Sequence, residues 1–136
     1  ELVLCDLVPR RRGYWGDSCA TFALGPPTPA ARAKHARARD ALVRGLEAVR
    51  PGLRADALDE LVRGDLEYPH HTGHGLGASW HEEPRIVPGN PMVLEAGMVV
   101  ALEPGVYEAG EGVRVEQVVL VTDEGYELLS AYALDL

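Results

Sequence analysis

A chain of 136 residues with 46% hydrophobic content is long enough to bury one core, and a single domain is the expectation. The formal charge of −8 is unevenly laid: residues 1–64 hold 11 Lys+Arg against 8 Asp+Glu, whereas residues 65–136 hold 2 against 13, so nucleic acid is not an expected partner. No window approaches the roughly 20 apolar residues of a membrane span, and two cysteines are too few for a disulfide scaffold, which together indicate a soluble protein of the reducing cytoplasm with no membrane partner.

The start, ELVLCDLVPRRR, is too short and too soon charged for a secretory leader, and a first residue of Glu rather than Met reads as a processed product or a piece of a longer chain. LVLCDLV is an apolar run and GYWGDSCATFAL an alternating, aromatic one; joined through Arg10, Arg11 and Arg12 they form an expected β-hairpin with a solvated tip. Alternation sets Cys5 and Asp6 on opposite faces and Asp17 and Cys19 on one face. If the aspartates face each other the cysteines do not, and no disulfide is expected.

GPPTPAA breaks the chain, and Thr28 followed by Pro29 supplies an N-cap and first-turn pair. Ala38, Ala41, Leu42, Leu46 and Val49 then recur at helical spacing until Pro51 and Gly52, with His35 on the exposed face. A shorter helix is expected from Ala55 to Arg63, with Leu58, Leu61 and Val62 along one face. After Gly64 the texture turns to Gly, Pro and short apolar runs, and MVLEAGMVVALEPGVY and GVRVEQVVLVTDEGYELLS read as strands, the latter with a DEG turn. Strands, two helices and further strands predict an α+β fold. HTGHGLG reads as a turn-rich loop in which Gly73, Gly75 and Gly77 permit backbone conformations closed to other residues, and without a following GK[ST] it carries no phosphate-binding signature.

Four carboxylates stand in apolar runs: Asp6 in VLCDLV, Asp17 in YWGDSC, Glu103 in VALEPG and Glu116 in VRVEQVV. An acid drawn toward a low-dielectric interior needs compensation. The resident candidates, Arg114, His70, His74 and His81, are few and mostly neutral at pH 7, whereas two divalent cations would balance four carboxylates. The plainer alternative is four solvent-facing acids on half-exposed strands. Composition therefore leads to a carboxylate/histidine metal site suited to Mn, Co, Fe or Zn.

The ordered set DLVPRRRGYWGD, HTGHGLGASWHEEP, LEAGMVVALEPGVY and GVRVEQVVLVTDEGYELL resembles the pita-bread metallopeptidases, from Leu2 to about Leu129, and within them the aminopeptidase P and prolidase branch. The resemblance implies the pita-bread fold and five metal positions: Asp6 chelating one ion, Asp17 and Glu116 bridging two, His74 and Glu103 as terminal ligands. It implies that Glu103 takes up the nucleophile's proton, that His81 steadies the substrate carbonyl or the tetrahedral intermediate, and that His70 and Arg114 shape the proline side of the site; His71 is left as structural. The implied reaction is hydrolysis of an Xaa-Pro bond in a peptide with proline second, by a hydroxide bridging two divalent ions, Mn before Co, Zn or Fe. The glycine and tyrosine of EPGVY, and an arginine two residues before the last ligand, speak for the proline-specific branch. The alternative on the same fold is a small-metabolite enzyme, an inactive member or a protein-binding module.

Three departures stand out against that family. Ala20 occupies a position where an arginine is usual, and Gln117 one where an aspartate is usual. Asp6 lies close to the first residue, so the fold is expected to be incomplete at its N-terminus, lacking an upstream half that carries a further substrate-site histidine. A sheet face left uncovered in that way would favour a homodimer.

Overall fold

The computed structural model describes residues 1–108, 110–130 and 133–136. The chain opens with a long hairpin in four segments, β1 (Leu2–Leu7), β2 (Arg10–Arg11), β3 (Tyr14–Trp15) and β4 (Ser18–Ala23). β1 and β4 pair antiparallel from Leu2↔Ala23 to Leu7↔Ser18, and β2 and β3 continue the hairpin to a tip at Arg12 and Gly13. Both tip residues have positive φ, 52° and 94°, the backbone that matches a two-residue turn to the twist of its strands. The arginine-rich tip expected from the sequence is thus present.

Thr28 caps α1 (Pro29–Ala48) by accepting the Ala31 amide at 3.1 Å, with Pro29 in the first turn, and α2 (Ala55–Arg63) ends at Gly64 with φ 51°. The two helices lie so close that a Cβ on Gly45 would overlap Val62. One correction concerns His35, expected on the exposed face of α1 but buried at 4% exposure. Leu134 and Asp135 of the C-terminal segment line one cleft with it, a long-range neighbourhood that helical spacing alone does not reveal.

The remaining strands are β5 (Gly73–Gly75), β6 (Glu82–Ile86), β7 (Val99–Leu102), β8 (Gly105–Glu108), β9 (Glu111–Arg114), β10 (Gln117–Val121) and β11 (Tyr126–Leu128). Five of them form a sheet in the order β11-β10-β7-β5-β6, its neighbours antiparallel, and β8 and β9 form a separate hairpin against α1, β1 and β4. Alternation divides the sheet. Val100, Leu102, Val119 and Val121 join Ile86 and the helix residues Leu42, Leu58 and Val62 in the main core, while the row His74↔Ala101↔Val118 lies on the opposite face.

Two expectations change here. The run MVL is expected to begin a strand, yet residues 92–94 make only a bridge, Val93↔Arg54, because a turn at residues 95–98, with Gly97 at φ 92°, intervenes before β7. HTGHGLG was read as a loop, yet Gly73–Gly75 is strand β5, paired on both sides. Neither glycine has positive φ. Their missing side chains admit neighbouring backbone: a Cβ on Gly73 would overlap the Ala101 carbonyl oxygen, and one on Gly75 the Glu83 carbonyl oxygen.

On the side of the first hairpin away from Asp6 and Cys19, Leu7 and Phe22 are exposed. Among the described residues no helix is long and apolar enough to cross a membrane.

Candidate metal centre

Sheet register gathers the acids. Leu102 pairs with Gly73 on one side and Gln117 on the other, so Thr72, Glu103 and Glu116 emerge together at one end of the three central strands. The Glu103 amide donates to the Thr72 carbonyl at 2.8 Å and fixes that alignment. The hairpin supplies the rest: Asp6 stands opposite Cys19 in the ladder, and Asp17 lies just before β4.

His74 is the buried hub. Its Nδ1 lies 2.8 Å from the Gly75 carbonyl oxygen, an acceptor, so Nδ1 carries the proton and Nε2 faces the acids. Nε2 stands 3.4 Å from Asp17 Oδ2 and 3.5 Å from Glu103 Oε1. Asp17 Oδ1 accepts the Ser18 amide at 3.0 Å. Ligand atoms of Asp6, Cys19 and Glu116 lie within 4.8 Å of one another, and those of His71, His74 and His81 do the same.

Arg114 reaches into this group. Its guanidinium contacts the Asp6 carboxylate, Nη1 lies 3.7 Å from Glu103 Oε2, and Nε donates to Cys19 Sγ at 3.2 Å. Burial pushes the Cys19 thiol up to about 11, so it is a neutral neighbour rather than a thiolate. Both cysteines are free, Cys5 exposed and Cys19 buried.

The four acids strain against one another. Burial pushes Glu116, 2% exposed, up to about 9, with the charges of Asp17, Glu103 and Asp6 adding to the rise. Asp6 is also raised, by burial first; Arg114 opposes this, and Asp17 and Glu103 add to it. At Asp17 burial works upward, but hydrogen bonding to His74 and Trp80 leaves the carboxyl below its ordinary value. Arg114 neutralises only part of this charge. A set of carboxylate oxygens and one imidazole nitrogen, crowded enough to hold one acid protonated at neutral pH, fits divalent cations of the hard-to-borderline class.

The histidines of the HHTGHGLGASWHEEP run separate in space. His81 packs on His74 with ring centroids 4.0 Å apart. His71, read as structural, has Nε2 3.3 Å from Glu103 Oε1 and meets His74 and His81 edge to face. His70 turns toward Tyr107, whose hydroxyl lies 2.9 Å from its Nε2, and stacks on Tyr68 at 4.8 Å. Sequence reasoning gave no role to Tyr107 or to the support beneath this run, although Tyr107 sits within the EPGVY motif. Buried Asp59 accepts from Thr72 Oγ1 at 2.5 Å and from Arg63 Nη2 at 3.0 Å, and Arg63 also donates to the carbonyls of Tyr68 and His70. α2 thereby holds the segment that leads into β5. The i,i+4 spacing of Asp59 and Arg63 marks a helix pair, but nothing in the sequence marks its hold on the histidine run, because Thr72 and the Tyr68 and His70 carbonyls lie outside α2. Beside Asp17 opens an apolar cleft of about 410 Å³, lined by Trp15, Leu76, Val99, Val118 and Leu129 among others.

The chain matches the profile of metallopeptidase family M24 over residues 1–123 and belongs to that family. It is similar to the Xaa-Pro dipeptidase of Lactobacillus helveticus, at 41% identity over 144 aligned positions, covering 100% of this chain and 39% of that protein. Among solved structures it superposes on the prolidase from Pyrococcus furiosus with a TM-score of 0.92 at 35% identity, covering 97% of this chain and 42% of that one. The Xaa-Pro dipeptidase from Bacillus anthracis gives 0.94 at 33%, with coverages of 99% and 40%. The α+β architecture is therefore that of the pita-bread peptidases, and the chain spans about two fifths of the length of these relatives.

Proposed function

We propose that residues 1–136 form a single catalytic domain carrying the dinuclear metal centre of an Xaa-Pro peptidase of the aminopeptidase P or prolidase type. The observation that carries this reading is the convergence of Asp6, Asp17, His74, Glu103 and Glu116 from five separate segments onto one partly buried cluster, in which burial first and the neighbouring acids second raise Glu116 to about 9. Names of relatives support the substrate class, a peptide with proline second.

Asp17 and Glu116 would be shared between two ions, with Asp6, His74 and Glu103 as the outer holders. Mn is the first choice, before Co, Zn or Fe; when bound, such a pair acidifies water and polarises a carbonyl. Glu103, with Oε1 toward His71 and His74, is placed to take up a proton from the attacking water. His81 is held below its ordinary pKa by burial and by the neighbouring His74 and His71, so at neutral pH it offers a neutral N–H to the oxygen that gains charge. Arg114 braces Asp6 and faces Glu103, and His70, stacked on Tyr68 and held edge to face by Tyr107, would shape the proline side of the site. The free thiols fit a cytoplasmic setting, and exposed Leu7 and Phe22 offer a face to a second copy.

The test is metal stoichiometry with cleavage. Purified protein titrated with Mn is expected to bind two ions per chain and to hydrolyse Ala-Pro. Retention of less than one ion, with Asp17→Asn making no difference, would falsify the dinuclear reading; bound ions with turnover of a small C–N or C–S substrate and none of any Xaa-Pro peptide would overturn the substrate class.

A further inference from the structure

Trp80 is a large aromatic residue left 47% exposed at the mouth of the candidate centre, and its polar edge is not idle. The indole Nε1 donates to Asp17 Oδ2 at 3.2 Å, and the ring packs against His81 with centroids 4.6 Å apart. One side chain thus touches a carboxylate of the cluster and the imidazole beside it.

The turn that presents Trp80 is braced from both sides. The Ser79 amide donates to Glu82 Oε1 at 2.6 Å, the Gly77 amide to the Ser79 carbonyl at 3.2 Å, and the Gly77 carbonyl accepts the Trp15 amide at 2.8 Å. Gly77 also lets Glu82 close over the turn, since a Cβ there would lie 3.0 Å from Glu82 Oε2. The indole is therefore aimed by a fixed backbone rather than by a free loop.

The carboxylate geometry gives this contact a meaning. A carboxylate offers about four lone-pair positions, two on each oxygen. In Asp17, Oδ1 spends one on the Ser18 amide and Oδ2 one on Trp80, which leaves one position on each oxygen for a cation, with Oδ2 3.4 Å from His74 Nε2 on the cluster side. We infer that Trp80 is a positioning residue that locks the Asp17 carboxylate in the orientation needed to serve two cations at once, and steadies His81 beside it. The inference rests on the metal reading under "Proposed function". Outer partners of this type typically govern affinity by about 10–100-fold.

The test compares the wild-type chain with Trp80→Phe, which keeps the ring and removes the donor, and Trp80→His, which restores an N–H. Mn affinity by calorimetry is expected to fall about 10–100-fold in Trp80→Phe and to recover partly in Trp80→His, while the metal-free Tm stays at the wild-type value. The chain has two tryptophans, so a nitrogen-15 spectrum has two indole N–H signals. The one missing from Trp80→Phe is expected to shift when Zn is added to the wild-type protein. Trp80→Phe binding Mn within twofold of wild type, or an indole signal unmoved by Zn, overturns the positioning role and leaves the metal centre standing. Absence of Mn binding by the wild-type protein overturns both.

Discussion

His74 Nε2 stands 3.4 Å from Asp17 Oδ2, although one residue lies on strand β5 of the sheet and the other between β3 and β4 of the first hairpin. Each is a candidate ligand, so each alone should matter. His74→Ala and Asp17→Asn are expected to remove at least one Mn per chain or to weaken binding by more than about 100-fold, above the range of an outer-shell partner. Calorimetry reads the affinity, and circular dichroism checks that the fold survives. Unchanged binding in either variant would remove that residue from the ligand set.

Glu116, as a candidate ligand, would link metal binding to pH. Its carboxyl is raised in the fold from an ordinary 4.5 to about 9, first by burial, so the protonated form favours the folded state. That contribution is complete below about pH 4.5 and is lost as pH rises toward about 9. The metal-free protein should therefore lose Tm between about pH 6 and pH 9, Glu116→Gln should lose less, and Mn should restore the wild-type value at the alkaline end. Metal-free wild-type and Glu116→Gln proteins with the same pH dependence would contradict this assignment.

Asp59 and Arg63 form the support under the histidine run. Asp59 is 2% exposed and Arg63 is partly buried, so removal of one partner strands the other. Arg63→Met is expected to cost about 3 kcal/mol of stability, the lower end for a broken buried pair, in urea unfolding. A loss below about 1 kcal/mol, the scale of an exposed pair, would show that α2 does not anchor His70 and Thr72.

Gly73 tests close strand approach. Gly73→Ala, whose Cβ would overlap the Ala101 carbonyl oxygen, should destabilise strongly, by more than about 2 kcal/mol, because strand β5 must move away from β7. Gly125→Ala, with open space around it and no positive φ, serves as the control and should be close to neutral. Equal urea midpoints for the two variants would overturn the steric account.

Local features of the chain were legible because their causes are local. Thr28 and Pro29 mark the start of α1, the near-unbroken Val/Leu run of QVVLV yields β10, and the Ala55–Arg63 stripe yields α2, since capping, period and residue type depend on near neighbours. HTGHGLG was read as a loop for the same reason: glycine signals freedom locally, and only the backbone of β6 and β7 on either side turns it into a strand. His35 shares a cleft with residues about 100 positions away, and the Asp59–Arg63 pair acts on a segment of a different element; neither relation has a period to read.

The sequence by itself determined the residue types: four acids in apolar runs, a histidine-rich stretch, and the order of motifs that marks family M24. Tertiary structure decided how those residues divide the work in space. Register between β5, β7 and β10 brings Glu103 and Glu116 to one end of the sheet, and the hairpin carries Asp6 and Asp17 to meet them. It also turns His70 toward Tyr107, sets His71 beside Glu103 and aims Trp80 at Asp17. Those directions follow from strand pairing and packing between segments up to 110 positions apart, and a charge or hydrogen bond acts over a few ångströms of space, whatever the distance along the chain.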